Sequence, residues 1–192
     1  MNAVATATRI TPEELLNLPD QDRYELVDGQ LVEVNVSVLS SLVAGELSTH
    51  LASFCRQNGL GWVWPADTFC KFSRDPNQVR RPDGLFIRRE RLTAALLEAS
   101  FITIPPDLVA EVISPNDLAY EVDEKVKEYL DAGVRLVWVI NPELHIVRIH
   151  RLDGTLAGLS ENDELSGEDV VPGFRCRVAE LFPTLPKAAV AP

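Results

Sequence analysis

The sequence predicts an α/β protein of the α+β type, with a mixed central β-sheet flanked by helices, and three observations lead to this fold class. Residues 24–34 carry a turn dipeptide between two short apolar segments, which is typical of an antiparallel hairpin. Residues 37–58 repeat apolar side chains every three or four positions, which is typical of a long helix. Two apolar runs, 108–113 and 136–140, flank a charged segment with helical spacing, which indicates parallel strands joined by a crossover helix.

Length and composition favour a single domain. A chain of 192 residues is long enough for one domain with a single core and short for two. We expect that domain at residues 11–182, between a disordered tail at 1–10 and a loose tail at 183–192. No apolar run approaches the roughly 20 residues that cross a bilayer, and the N-terminus does not resemble a secretory signal, so we expect no membrane association. Three widely spaced cysteines favour reduced core thiols in a cytoplasmic protein over a disulfide framework or a zinc site.

Capping and turn residues predict the N-terminal elements. A capping box that begins at Thr11 predicts a short helix over residues 12–17. The dipeptide Asp28-Gly29 supplies the positive φ angles of a two-residue hairpin turn. The two strands of this hairpin are expected at residues 24–27 and 30–34.

The middle of the chain changes from helical to extended periodicity. The long helix is expected at about residues 37–58, where Gly59 ends it. Short strands separated by turn-rich segments follow, and then a further helix. These strands are expected at residues 61–64, 68–72 and 84–87, and the helix at about 91–99.

The stretch from Pro106 to Pro142 is the centre of the predicted sheet. Its second run, 136–140, is apolar without alternation, as expected for a strand that is covered on both faces. A further strand is expected at residues 146–152, followed by short strands and a helical turn near Val178.

The charge pattern limits a nucleic-acid surface to one segment. The net charge of −11 argues against a wide surface of this kind, because binding phosphates needs a local basic field. From Lys71 to Arg91, however, seven Lys or Arg residues stand against three Asp or Glu residues, which gives a local charge of +4. Composition alone favours a solvated loop with ordinary surface arginines. If the segment does bind phosphates, the candidate residues are Lys71, Arg74, Arg80 and Arg81.

One carboxylate, Glu111, lies in the middle of the first apolar run. A lone ionised carboxylate in a buried strand costs several kcal/mol unless it is paired or binds a metal, so Glu111 needs a partner. Asp107 is four residues away on the same strand, about 13 Å at about 3.3 Å per residue, which is too far to share one ion. Asp83 opens another apolar strand that would pair in the same sheet, so its carboxylate could meet Glu111.

The helix between the two runs offers a basic partner. At about 100° per residue, Lys125 falls about 40° from the apolar residue Tyr129, whereas Lys127 points about 160° away, towards solvent. Two carboxylates can hold a divalent cation, and a nearby lysine can orient a water molecule or take its proton. The same residues equally allow an inert arrangement, in which Asp83 caps a turn and Glu111 forms a buried salt bridge with Lys125.

Four segments in order resemble the Uma2 family, and the resemblance covers about residues 10–182. The segments are YELVDGQLVEV (24–34), RPDGLFI (81–87), PDLVAEVISPND (106–117) and KVKEYLDAGVRLVWVINP (125–142). The resemblance implies the restriction-endonuclease-like core of PD-(D/E)XK proteins. It also implies a Mg²⁺- or Mn²⁺-dependent endonuclease that hydrolyses DNA phosphodiester bonds, and, by analogy with other nucleases of this fold, a homodimer.

The resemblance also implies roles for individual residues. Asp83 corresponds to the aspartate of the PD dipeptide and Glu111 to the acid of the next strand, so both would hold the metal, together with the main-chain carbonyl of Val112. The lysine of the parent pattern stands two residues after this acid, where the chain has Ile113. The family's own pattern places that lysine on the following helix, four residues before a tyrosine, and these two residues are Lys125 and Tyr129 here.

Two further positions complete the comparison with the family pattern. Glu25, in the first segment, resembles a further acidic position near the site, although a glutamate on an edge strand would serve equally well as a structural residue. Many relatives carry a histidine near the start of the long helix, where this chain has Ser40 and Ser41, and its nearest histidine is His50. This departure and the net charge leave an alternative open, a catalytically inactive module that acts as an interaction or regulatory protein.

Overall fold

The computed structural model describes residues 9–183, so the predicted tails fall outside the described residues except for positions 9, 10 and 183. The helices are α1 Pro12–Leu15, α2 Val38–Gln57, α3 Ala94–Glu98 and α4 Ala119–Ala132. The strands are β1 Tyr24–Val27, β2 Gln30–Glu33, β3 Gly61–Pro65, β4 Gly84–Arg88, β5 Leu108–Val112, β6 Leu136–Asn141, β7 Ile146–Arg151, β8 Leu156–Ser160, β9 Glu164–Ser166 and β10 Arg175–Arg177. Single 3₁₀ turns cover Gln21–Arg23, Arg89–Arg91 and Val178–Leu181.

A six-stranded mixed sheet forms the centre of the described structure, which confirms the predicted fold class. Its strand order is β3-β4-β5-β6-β7-β8. Only β5 and β6 pair in parallel within this sheet, and α4 is the crossover that joins them. Helix α4 ends at Gly133, whose φ of 102° lies in the left-handed region that favours glycine.

Helices cover the two faces of the sheet. Helix α2 packs on one face, where its buried side chains meet Phe86, Leu108 and Trp138. Helix α4 packs on the other face through Val122, Val126 and Tyr129. The apolar runs of β5 and β6 are therefore buried on both sides, as expected for the central strands of such a sheet.

The predicted hairpin and long helix are present, whereas one predicted strand is absent and one predicted helix is shorter than expected. Asp28 and Gly29 have φ angles of 49° and 76°, as a hairpin turn between β1 and β2 requires. The strand expected at 68–72 is wrong, because Cys70 pairs with Arg80 on one side and with Ile102 on the other in isolated bridges only. The helix expected at 91–99 is also wrong in its extent. A 3₁₀ turn comes first, and α3 begins only after its own N-cap at Thr93.

The register of β4 and β5 places the two predicted acids opposite each other. Gly84 faces Ala110 in this antiparallel pair, so the preceding residue, Asp83, stands level with Glu111. Residues that face each other in such a pair project to the same side of the sheet. Leu85 and Val109 face each other in the same pair and pack on the α4 side of the sheet. Asp83 is two residues before Leu85 and Glu111 two residues after Val109, so side-chain alternation puts both acids on the α4 side too.

Two expectations from composition can be compared with the described residues. No helix between residues 9 and 183 combines the length and apolarity needed to cross a membrane. The three cysteines, Cys55, Cys70 and Cys176, are buried free thiols.

Candidate active site

A cavity of about 260 Å³ lies at the carboxyl end of β5, between the β1–β2 hairpin and the N-terminal half of α4. We call it the strand-end cavity. The structure brings five of the residues predicted to act in catalysis or metal binding to its wall. These are Glu25, Asp83, Glu111, Val112 and Lys125.

Glu111 is 8% exposed and has two partners. Its Oε1 accepts a hydrogen bond from the Tyr129 hydroxyl at 2.5 Å, and its Oε2 lies 3.5 Å from the Lys125 ammonium nitrogen. Burial raises the pKa of Glu111 above its ordinary value even though the charge of Lys125 opposes the shift. Both partners of Glu111 thus lie on α4, and the helical wheel had predicted that Lys125 faces inward from this helix.

Asp83 is held by the backbone of the neighbouring strand. Its Oδ2 accepts a hydrogen bond from the Val112 amide at 2.7 Å. Burial, followed by the negative charge of Glu111, raises the pKa of Asp83 to about 7. Within the described chain Asp83 forms no ion pair, whereas Glu25 and Glu111 both pair with Lys125.

Lys125 lies between two carboxylates. Its Nζ is 3.0 Å from Glu25 Oε1 and 3.5 Å from Glu111 Oε2. Although burial opposes the shift, the charges of Glu111 and Glu25 raise the pKa of Lys125 above its ordinary value. Lys125 is therefore an ammonium ion that donates hydrogen bonds. Lys127, by contrast, has a 74% exposed side chain and pairs with Asp131, as predicted for a residue that points to solvent.

Glu25 is 3% exposed and its carboxylate is fully used by protein donors. Oε1 accepts hydrogen bonds from Lys125 and from the Arg81 amide at 2.9 Å, while Oε2 pairs with Arg80 at 3.0 Å. Although burial opposes the shift, the charges of Lys125 and Arg80 lower the pKa of Glu25. Both oxygens of Glu25 are thus engaged, and its contact with Lys125 fixes the position of the ammonium group.

Arg80 and Glu128 form an ion pair that supports Glu25, and the sequence did not predict this pair. The guanidinium of Arg80 joins Glu25 to Glu128 of α4, at 2.8 Å from the latter. Gln78 donates a further hydrogen bond of 2.7 Å to Glu128. The spacing of Glu128, three residues after Lys125 on the same helix face, was the signal that could have found it.

The candidate nucleic-acid contacts do not form one face. Arg80 and Arg81 are buried, and the guanidinium of Arg81 donates to the Asp22 carbonyl and pairs with Asp67. Lys71 pairs with Glu13 at 3.0 Å and lies over the Phe101 ring, and Arg74 is exposed. A role of these four residues in binding nucleic acid stays a prediction.

The remaining sequence candidates lie outside the site. Asp107 sits at the opposite end of β5, where it pairs with Arg91 at 2.9 Å. Ser40, which stands where many relatives have a histidine, is buried and its Oγ lies 2.9 Å from Ser114 Oγ. No histidine lines the strand-end cavity.

The donor set fits one divalent cation. No group of three or more His, Cys, Asp or Glu residues within positions 9–183 could hold a metal ion, so any cation here would rely on two carboxylates and other oxygens. Asp83 and Glu111 face each other, both are disfavoured as free anions, and a hard cation between them would relieve this. Mg²⁺ in particular binds through one or two carboxylates and keeps several waters.

The wall of the strand-end cavity is strongly acidic. Seven carboxylates line it against three basic residues, and all three basic side chains are engaged in ion pairs. The acids are Glu25, Glu33, Asp83, Glu111, Asp117, Glu121 and Glu124. An anionic ligand would therefore be repelled unless a cation accompanied it.

Replacing Tyr129 with phenylalanine should destabilise the protein while leaving its shape intact. The change removes the only hydroxyl that hydrogen-bonds Glu111 within residues 9–183, and hydrogen bonds to charged groups contribute about 1.5–3 kcal/mol. Urea denaturation followed by circular dichroism measures the loss. The control is Tyr120→Phe on the same helix, which changes a 59% exposed residue and should alter stability by less than about 0.5 kcal/mol. Equal effects of the two substitutions would contradict the assignment.

Comparisons with known proteins identify the family and the fold of this chain. Residues 12–179 match the model of the Uma2 family, described as "Putative restriction endonuclease". The chain is also similar to the crystal structure of a "putative nuclease belonging to DUF820" from Anabaena variabilis ATCC 29413, with a TM-score of 0.77 and 18% sequence identity. This likeness covers 90% of this chain and 97% of the other, and it confirms the fold expected from the family resemblance. No curated protein sequence matches the chain.

Proposed function

We propose that this chain, which belongs to the Uma2 family, is a Mg²⁺- or Mn²⁺-dependent endonuclease that hydrolyses DNA phosphodiester bonds. The observation that carries the proposal is the meeting of Asp83, Glu111 and Lys125 at one cavity. Carboxylates that hold a divalent cation, beside a lysine that can donate to water or phosphate, suit the hydrolysis of a phosphodiester. The descriptions of the family and of the cyanobacterial relative support a nuclease.

Each residue of the site has a part in the proposed mechanism. Asp83, Glu111 and the main-chain carbonyl of Val112 would hold the cation. When bound, the cation would polarise the scissile phosphate and acidify a coordinated water. Lys125, which stays protonated between its two carboxylates, would orient the attacking water and stabilise the charge that develops on phosphate. Glu25 would fix Lys125 in this position.

Incubation of the purified protein with supercoiled plasmid tests the proposal. We expect nicked and linear products in Mg²⁺ or Mn²⁺ and none in excess chelator. Lys127→Ala should cleave like the wild type, because its side chain is exposed and remote from the cavity. Cleavage that survives both Asp83→Ala and Lys125→Ala would come from a contaminant or another site.

The alternative is a catalytically inactive interaction or regulatory module. The acidic cavity wall and the serine in place of the helix histidine favour it. Calorimetry separates the two functions, because the inactive module would bind neither Mg²⁺ nor Mn²⁺. The homodimer implied by the family resemblance stays a prediction.

A further inference from the structure

A second cavity, of about 370 Å³, adjoins the strand-end cavity on the side of α2, and we call it the helix-side cavity. The two cavities share the lining residues Val34, Arg81 and Asp83, so they lie next to each other on either side of Asp83. The α2 wall of the helix-side cavity consists of small side chains. These are Ser41, Ala44, Gly45 and Ser48.

Two residues that line the helix-side cavity each have a buried polar atom with no hydrogen-bond partner among residues 9–183. One is Nε of Arg81, a residue that is only 6% exposed and whose other two nitrogens are engaged by Asp22 and Asp67. The other is Oγ of Ser48. A buried donor without a partner is costly, and both atoms can donate to a phosphate oxygen. Both residues line the same cavity as Asp83.

The depth and charge of the two cavities distinguish between forms of DNA. The groups that would contact the substrate lie below the surface, since Glu111 and Arg81 are each less than a tenth exposed. In a duplex, the paired bases and the second strand prevent a nucleotide from entering a cavity of this size. A single strand can place an unstacked nucleotide in such a cavity. The acidic wall adds to this preference, because duplex DNA has the higher density of phosphate charge and is repelled more strongly.

From these observations we propose that the helix-side cavity binds the nucleotide next to the scissile phosphate in unpaired form, with Arg81 and Ser48 as donors. The substrate is then single-stranded DNA, or duplex DNA with a locally unpaired segment. This inference rests on the proposed endonuclease function and assigns that function its substrate form.

The test uses labelled oligonucleotides of one sequence in three forms. These are a single strand, a perfect duplex, and a duplex with an internal unpaired loop. In Mg²⁺ we expect the single strand and the loop to be cut at least about tenfold faster than the duplex, because intact base pairs must first open. In Ca²⁺, fluorescence polarisation should show the same order of affinity. A duplex that is bound and cut as well as the single strand would overturn the inference, and the proposed function would stand if Asp83→Ala abolished that cleavage.

A bulky residue in the helix-side cavity provides the second arm. A Cβ added at Gly45 meets nothing within 4 Å, so Gly45→Trp starts in open space, at a position that lines the cavity its indole would occupy. We expect about a tenfold or greater loss of single-strand binding and cleavage, with Mg²⁺ affinity unchanged by calorimetry. The matched control is Glu46→Trp, an exposed α2 position that does not line the cavity. Equal behaviour of the two tryptophan variants would overturn the inference. A wild type that neither binds nor cuts any of the three forms would overturn the proposed function as well.

Discussion

Replacing Asp83 with asparagine should abolish cation-dependent cleavage and, at the same time, stabilise the metal-free protein. The amide oxygen can still accept the hydrogen bond from the Val112 amide, so the backbone geometry is kept. The substitution removes a buried charge that has no ion-pair partner in the described chain and that faces the charge of Glu111. We expect a loss of activity of about 10²–10³-fold or more, by comparison with other electrostatic groups at active sites. We expect a gain in stability of about 0.5–2 kcal/mol.

Differential scanning calorimetry in chelator, and then in Mg²⁺, measures the two effects of Asp83→Asn separately. Mg²⁺ should raise the melting temperature of the wild type, because it binds the folded state, and should leave that of Asp83→Asn unchanged. Asp107→Asn is the matched control, since Asp107 is also a buried aspartate after a proline but pairs with Arg91. It should lower the melting temperature and preserve cleavage. A drop in stability of the metal-free Asp83→Asn protein would contradict the repulsion described for this pair of acids.

Replacing Lys125 with methionine should have the largest effect on stability of any change at the site. The substitution leaves two buried carboxylates, Glu25 and Glu111, without the cation that lies between them. Breaking a buried ion pair by removal of one partner costs about 3–5 kcal/mol. Urea denaturation in chelator measures this loss. Lys127→Met, on the exposed side of the same helix, should change stability by less than about 0.5 kcal/mol.

A double-mutant cycle separates the pairing of Lys125 with Glu25 from the general effect of the substitution. Glu25→Gln removes the charge that Lys125 meets at 3.0 Å, so the double variant should be more stable than the sum of the single changes predicts. We expect a coupling free energy of about 0.5–3 kcal/mol between these two residues. If the free-energy changes of the two single substitutions simply add, the ion pair between Lys125 and Glu25 contributes nothing to stability.

Local patterns predicted the core of the site because its residues lie on regular elements. Glu111 was recognisable as a charge in an apolar strand, Asp83 as the residue that opens a neighbouring strand, and Lys125 as the inward lysine of an amphipathic helix. Each inference needed only the period of a strand or a helix. Lys125 lies 3.5 Å from Glu111, and Asp83 accepts a hydrogen bond from the amide of Val112, the residue after Glu111.

The helix spacing of Glu128 places it on the same face as Lys125, but its pairing with Arg80 could not be predicted, because that pairing joins distant segments. Arg80 and Glu128 are 48 residues apart, and nothing local distinguishes Arg80 from the exposed Arg74 in the same basic segment. The strand expected at 68–72 failed for a similar reason. Its residues have suitable β-propensity, but Cys70 finds two different partners for one bridge each and no continuous ladder forms.

The contact between Glu25 and Lys125 has a consequence for folding kinetics. These residues are 100 positions apart, so their ion pair closes one of the longer loops in the chain. Contacts of high sequence separation form late, because the entropy of closing the loop must be lost before the contact contributes. The hairpin and α4 can each form locally, but Lys125 is oriented only when they dock together. During refolding, cation affinity should therefore recover later than the helical circular dichroism signal. The return of cation affinity then marks the time at which the chain reaches its complete native topology.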